Sequence, residues 1–271
     1  MAAPHFSINK VIRKKISLFA NYSVGFKPPV SSYFYITVPA VATTPPTPAS
    51  GSLNEKLQPE KGTQIEFGAR GEILQNKLSF EVIRFHTLFR NKMTAIAVSS
   101  PLSPNTTLYS YMVNGGTQIH NGLELTIKYT AYESSWGALR MLRPFFNLTS
   151  NQFTYGDNFI IEKSATLKED YSHKAVAAVA KYVVNAGIDF VFNKGLSGNL
   201  TYNYRDKMPI TSLNDFYTQS FHLLNAKLSY RKDIGQHVQL DLSYGINNIT
   251  GTKHFLMVFA NQLPEIGRAH V

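Results

Sequence analysis

The chain is 271 residues long with a formal net charge of +10, and only 16% of it is charged, below the roughly 25% of an average protein. It has no cysteine, which excludes a disulfide scaffold and thiolate metal sites, and its 44% hydrophobic content is too high for a disordered chain. No apolar run reaches the ~18–20 residues of a membrane-spanning helix; the longest, 175–184, is interrupted by Lys181.

From the N-terminus, Met1-Ala2-Ala3-Pro4-His5 lacks the charged and apolar segments that head a secreted chain, so the natural start is expected upstream. After a short basic turn at 13–15, Ile16, Leu18, Ala20, Tyr22, Val24 and Phe26 alternate with Ser17, Phe19, Asn21, Ser23 and Gly25. That period of two marks a strand close to the ~9–11 residues of a transmembrane β-strand. A long connection at 28–59 follows, and its Thr44-Pro45-Pro46-Thr47-Pro48 cannot join a ladder because proline lacks the donor. Ile65, Phe67, Ala69 and Ile73 then alternate with Gln64, Glu66, Arg70 and Glu72, and a turn at 74–77 leads to Leu78, Phe80 and Val82. Continued at the same period, this strand puts Arg84, His86 and Arg90 toward lipid, at roughly 2–4 kcal/mol for a charge at the midplane. A β-bulge near Val82-Ile83 is therefore predicted, turning Ile83, Phe85 and Phe89 outward instead.

Beyond a long segment at 94–107, Leu123, Leu125, Ile127 and Tyr129 form the next apolar stripe, followed by a short turn at 134–135. The stretch 155–180 is a long connection in which 166–184 suggests a loop helix ahead of a strand from Lys181. Val184, Ala186, Ile188, Phe190 and Phe192 and, past a turn at 193–195, Leu196, Leu200, Tyr202 and Tyr204 continue the alternation. A connection at 208–220, the stripe Leu224, Ala226, Leu228 and Tyr230, a turn at 233–237, and Val238, Leu240, Leu242, Tyr244 and Ile246 complete it. Short and long connections thus take turns, as periplasmic turns and extracellular loops do. The predicted fold is all-β: an antiparallel up-and-down transmembrane β-barrel segment of about ten strands, incomplete and therefore an open curved sheet. It is expected to occupy residues 1–264, with 265–271 a non-native tail that shows no strand pattern. A soluble lipocalin-like barrel has the same alternation with its apolar side inward. Aromatic residues at strand ends, strand length and a polar face of mixed charge favour the membrane case.

Several phrases carry a resemblance. Leu18-Phe19-Ala20-Asn21-Tyr22-Ser23-Val24-Gly25-Phe26-Lys27-Pro28-Pro29, Asn54 with Leu57-Gln58-Pro59-Glu60-Lys61 ahead of Glu66-Phe67-Gly68, Asn114-Gly115 ahead of Gly122-Leu123-Glu124-Leu125, and Tyr244-Gly245-Ile246-Asn247-Asn248-Ile249 resemble, in the same order, strand entries and exits of TonB-dependent outer-membrane receptors. The resemblance implies a barrel of about 22 strands plugged by a separate N-terminal domain, of which this chain supplies the C-terminal portion without plug, energy-coupling box or final strand. It implies a bacterial outer-membrane location and active uptake of a bulky, scarce ligand of the ferric siderophore, haem or cobalamin class. The implied partners are the TonB complex, engaged through the missing plug region, an extracellular small-molecule ligand and outer-membrane lipid.

Candidate ligand contacts are Tyr33, Phe34 and Tyr35 in the first long loop, which suit a planar or hydrophobic ligand, and Arg90 and Arg205 among basic residues expected to face the lumen with Arg70, Arg84, Lys128, Lys227 and Arg231. A purely structural reading has these cations pairing with Glu66, Glu72, Glu81, Glu124, Asp189 and Asp241 across the wall, the Tyr33–Tyr35 rings forming an interface girdle, and Trp136 anchoring the periplasmic side. No catalytic motif stands out, His86 and His120 are lone residues, and neither an enzyme nor a cofactor is expected. A passive porin-type barrel is the alternative function. A nucleic-acid-binding β-protein is disfavoured because the positive charge is spread through strands instead of clustered.

Overall fold

Side chains that alternate between apolar and polar take opposite sides of an extended backbone. In the computed structural model, which describes residues 2–162 and 168–254, that alternation builds one large sheet. The strands are β1 (His5–Ile12), β2 (Ile16–Lys27), β3 (Tyr35–Val38), β4 (Ser50–Leu53), β5 (Glu60–Ile73), β6 (Leu78–Arg90), β7 (Met93–Ser100), β8 (Ser103–Asn114), β9 (Gln118–Tyr129), β10 (Tyr132–Glu133), β11 (Leu139–Tyr155), β12 (Ile160–Glu162), β13 (Lys168–Asp170), β14 (Tyr182–Phe192), β15 (Leu196–Arg205), β16 (Phe221–Ile234) and β17 (Val238–Ile246). The sheet order is β1-β2-β5-β6-β9-β11-β14-β15-β16-β17, with β10 added to β11. Its neighbours are all antiparallel, and β3–β4, β7–β8 and β12–β13 are hairpins standing outside it. Among the described residues β1 and β17 have no second neighbour, so the sheet is open. The all-β, up-and-down, unclosed architecture is the one expected.

Connections at one end are short, at 13–15, 74–77, 130–138, 193–195 and 235–237, and those at the other are long, at 28–59, 91–117, 156–181 and 206–220. Arg13 and Lys14 both take left-handed backbone angles, the pair of positive φ values that a tight hairpin turn needs to match strand twist.

Register decides which residues share a face. One face carries Ile8, Leu18, Phe67, Leu125, Leu148, Ile188, Leu200 and Leu228. Its large side chains stand in the open: Phe67 is 59% exposed, Leu228 50% and Tyr244 71%. A continuous exposed apolar face of this extent is what lipid solvates. The opposite face carries every acidic residue of the ten sheet strands, from Glu60 and Glu66 to Asp233 and Asp241.

Two expectations are corrected. Pairing of β5 with β6 runs without a shift from Lys61 opposite Arg90 to Ile73 opposite Leu78, so there is no bulge at Val82-Ile83. Arg84, His86 and Arg90 stay on the apolar face, and Phe85 and Phe89 on the polar one. The reason lies across the ladder. Phe85 faces Gly122, Phe89 faces Gly62, Phe19 faces Gly68 and Phe145 faces Gly187. A Cβ at Gly122 would lie 2.0 Å from the Phe85 ring, so glycine leaves the space that the ring occupies. Inward aromatics are thus seated in place, and a bulge has nothing to relieve. The loop helix is also absent from the described residues: Lys168–Asp170 pairs with β12 as a strand, and 171–180 runs through turns.

Close packing concentrates at the long-connection end. Ile96, Tyr155, Phe159, Ile161 and Tyr171 form a buried cluster with Tyr111, Val113, Val176 and Leu213 around it, uniting β7–β8, β11, the 156–181 connection and the 206–220 connection. Glu60, 4% exposed, ties this cap to the sheet. Its carboxylate accepts from the Met93 N–H at 2.8 Å and pairs with Lys92 Nζ at 3.2 Å. Replacing Glu60 with Ala leaves both donors unmet, at about 1–3 kcal/mol. The expected result is faster hydrogen exchange confined to β7 and β8; unchanged protection there would remove Glu60 as the anchor.

Candidate functional site

The polar face is a lattice of side chains linked across strands. Arg143 pairs with Asp189 at 3.1 Å, Arg231 with Asp241 at 2.6 Å and Arg70 with Glu81 at 3.9 Å, each directly across its ladder. Asn21 Nδ2 donates to Glu66 at 3.0 Å and Ser7 Oγ to Asn21 at 2.7 Å. Asn147 Nδ2 donates to Asn185 at 3.4 Å, and Asn185 in turn to Asn203, giving an asparagine row over β11, β14 and β15. For Arg70 and Arg231 the structural reading therefore holds, and Arg143 joins them although the sequence did not single it out. The exposed Arg70–Glu81 and Arg231–Asp241 pairs contribute little stability each; together with the part-buried Arg143–Asp189 pair they hold a hydrophilic wall in one register.

Nearer the long connections the same face carries an aromatic row that the bulge expectation hid. Phe85 meets Phe153 edge-on at 6.2 Å, Phe153 stacks on His120 at 4.1 Å with planes 4° apart, and His120 meets Phe89 at 4.8 Å. Lys92 Nζ lies 5.1 Å from the centre of the Phe89 ring, within cation–π range. The signal was present in the sequence as an uninterrupted period of two from Leu78 to Arg90, which places Phe85 and Phe89 with Glu81 and not with Val82.

The predicted contact residues do not converge. Tyr33 and Phe34 are half-buried in a short 3-10 turn and Tyr35, 65% exposed, opens β3. The segment is tied down where Asn54 N–H donates to the Phe34 carbonyl at 2.7 Å and Asn54 Nδ2 to the Met112 carbonyl at 2.7 Å. Arg205 is half-buried on the polar face, its guanidinium 5.9 Å from the Phe221 ring. Arg90 is exposed on the apolar face, correcting its expected inward position; Arg84 is corrected likewise. Lys128 and Lys227 are on the polar face, as expected. Trp136 is 84% exposed at a short-turn site. In the cap, burial and a hydrogen bond donated to Glu169 push the Tyr171 phenol up from its ordinary value. Two hydrogen bonds from Ser172 hold Asp170 below the usual carboxylate range. Among the described residues no group of His, Asp or Glu is arranged to hold a metal ion.

An unclosed antiparallel sheet with one lipid-compatible face, a polar inner wall and elaborated loops at one end narrows the families that fit. The model of the family described as TonB dependent receptor-like, beta-barrel, matches residues 3–249. The chain belongs to that family. Among solved structures, the ferric yersiniabactin uptake receptor FyuA of Yersinia pestis is 15% identical with a TM-score of 0.60, over 92% of this chain and 32% of that one. The siderophore receptor PiuA of Acinetobacter baumannii is 16% identical with a TM-score of 0.65, over 95% and 33%. The copper transporter OprC is 12% identical with a TM-score of 0.64, over 92% and 34%. The chain thus spans about a third of the length of these receptors. At such identities the likeness shows the fold and leaves the ligand open. A closed barrel leaves no strand edge unpaired, whereas among the described residues β1 and β17 are the two edges of this sheet.

Proposed function

We propose that this chain is part of the wall of a bacterial outer-membrane receptor that takes up a bulky, scarce ligand, of the ferric siderophore, haem or cobalamin class, by TonB-dependent active transport. The observation that carries this reading is the family match across nearly the whole chain. The siderophore receptors among the structural neighbours support the ligand class. The TonB complex would act through a plug segment outside this chain. The match does not favour a passive porin-type barrel.

In this reading the loop segment holds the half-buried Tyr33 and Phe34 and the exposed Tyr35 on the ligand's side of the membrane, and Arg205 places a cation on the lumen side. Below them the Phe85, Phe153, His120 and Phe89 row gives an entering aromatic or planar ligand a surface to stack on. Deleting the gene for the complete receptor should abolish growth on its ligand as sole iron source and uptake of the radiolabelled iron complex. Restoring it with Phe153→Ala/His120→Ala should raise the half-saturation concentration about tenfold, two stacking contacts at about 0.5–1.5 kcal/mol each. A deletion strain with undiminished uptake of every iron complex tried would refute iron transport. An unchanged half-saturation in the double variant would remove the row from the ligand path.

A further inference from the structure

The two ends of the sheet differ in charge. The long connections mix both signs, with Glu55, Asp157, Asp206 and Asp215 among Lys56, Lys174 and Lys207. The short connections carry Arg13, Lys14, Lys15, Lys77 and Lys194 against one acid, Glu133. At the strand ends beside them Glu72 and Asp233 are matched in number by Arg140 and Lys232, so the excess stays positive. The turn cations are exposed, and none of their side chains has a hydrogen bond or ion pair among the described residues. Turn geometry does not ask for them. Arg13, Lys14 and Lys194 hold left-handed backbone angles, which asparagine and glycine adopt at lower cost. Like charges in a row also repel one another unless an anion is near.

The short turns are tied together in series. Glu72 N–H donates to the Lys15 carbonyl at 3.0 Å, Thr130 N–H to the Lys77 carbonyl at 2.7 Å and Asn193 N–H to the Ala138 carbonyl at 2.8 Å. With about 4.8 Å between strands, successive turns, two strands apart, are about 10 Å from one another, close to the length of a disaccharide unit in an extended glycan. Trp136, 84% exposed, stands in the third turn, where Ser134 Oγ accepts from its N–H at 3.1 Å and donates to its carbonyl at 3.0 Å. An indole so exposed offers its face to a sugar ring. At the first turn opens a cleft of about 650 Å³ lined by Arg13, Lys14, Lys15 and Arg70 with Glu72 and Asn76. Its cations outnumber its carboxylate, which suits a chain that ends in a carboxylate.

We propose that the short-turn rim is a docking surface for the cell-wall glycan, peptidoglycan. Trp136 stacks on a sugar ring, and carboxylates of the peptide stems meet Arg13, Lys14, Lys15, Lys77 and Lys194. This partner combines sugar rings with a carboxylate-bearing peptide at each repeat, the two chemistries that the rim receives. An anionic phospholipid headgroup would answer the charge and leave the indole without a ring to stack on. The inference rests on the short turns facing the periplasm and is independent of which ligand the receptor imports.

The test sediments the complete receptor, folded in detergent, with purified peptidoglycan sacculi and reads the concentration for half-retention. Wild type should co-sediment, and rising salt should release it, since exposed charge pairs are screened. Arg13→Gln/Lys14→Gln/Lys15→Gln should weaken retention about tenfold, three exposed pairs at roughly a factor of two each, and Trp136→Ala about fivefold. Arg13→Lys/Lys14→Arg/Lys15→Arg should retain nearly as wild type does, soluble muropeptides should compete, and heat-modifiable mobility on gels confirms that each variant is folded. Equal retention by wild type and the glutamine variant overturns the proposal. So does equal retention on sacculi whose carboxylates have been amidated. Displacement by phosphatidylglycerol vesicles where muropeptides have no effect would assign the rim to lipid headgroups and overturn it as well.

Discussion

Replacing Gly195 with Ala is expected to destabilise the folded receptor by about 3 kcal/mol or more, whereas Gly235→Ala should cost about 1–2 kcal/mol. Both glycines sit in short turns with positive φ, +83° and +70°, so any other residue meets the left-handed penalty at either site. Only Gly195 is also crowded. A Cβ there would lie 1.8 Å from the Arg231 carbonyl oxygen, whereas at Gly235 nothing lies within 4 Å. Relief at Gly195 requires the end of β16 to move away from the β14–β15 turn, and that movement strains the β15–β16 ladder from Leu196 opposite Tyr230 onward. Urea midpoints of the complete receptor, followed by heat-modifiable mobility, separate the two variants. Equal losses would show that turn conformation alone matters and that the close approach of β16 does not.

Phe159→Ala is the second large effect, and it should be local. Phe159 is 2% exposed, with ring centres 4.6 Å from Tyr155 and 6.2 Å from Tyr171. Truncating a buried phenylalanine costs about 3–5 kcal/mol. The loss falls on the cap, because the cluster packs β7–β8 against β11 and the two long connections, and the Tyr155 and Ser212 hydroxyls, 2.9 Å apart, tie β11 to the 206–220 connection. The sheet has its own ladder hydrogen bonds and does not depend on that cluster. Limited proteolysis should therefore cut the 156–181 connection faster by two orders of magnitude or more, the ratio that about 3 kcal/mol gives, while the barrel strands stay protected. A uniform increase across strands and loops would mean that cap and sheet unfold together. If the cap holds Tyr33, Phe34 and Tyr35 in place, the same variant should also weaken ligand uptake; unchanged uptake would detach those residues from the cap.

Much of this architecture follows from the sequence alone. A period of two is a property of the extended backbone, so Ile16 to Phe26, Leu123 to Tyr129 and Leu196 to Tyr204 announce their strands and faces without any tertiary information. The alternation of short and long connections is written in the positions of Arg13-Lys14-Lys15, Asn193-Lys194-Gly195 and the proline-rich 43–51 segment. β11 was harder to see, because Phe145-Phe146 sets two aromatics side by side, and only the Gly187 opposite Phe145 shows that one of them belongs to the polar face. The continuous register at Val82-Ile83, where a bulge is expected, has the same origin. A rule applied to single residues, that charge avoids lipid, outweighed a pattern that continued unbroken. Which residue stands across the ladder is a pairwise fact that a single strand does not contain. The pairing of Gly122 with Phe85 seats that ring inward, and it leaves Arg84, His86 and Arg90 outward with no carboxylate to meet them. The loop cap lay equally beyond the sequence, since Ile96, Tyr155, Phe159, Ile161 and Tyr171 come from separated segments that share no period. Periodicity is local and legible, whereas the lumen-side aromatic row and the outward cation cluster exist only because neighbouring strands meet in one particular register.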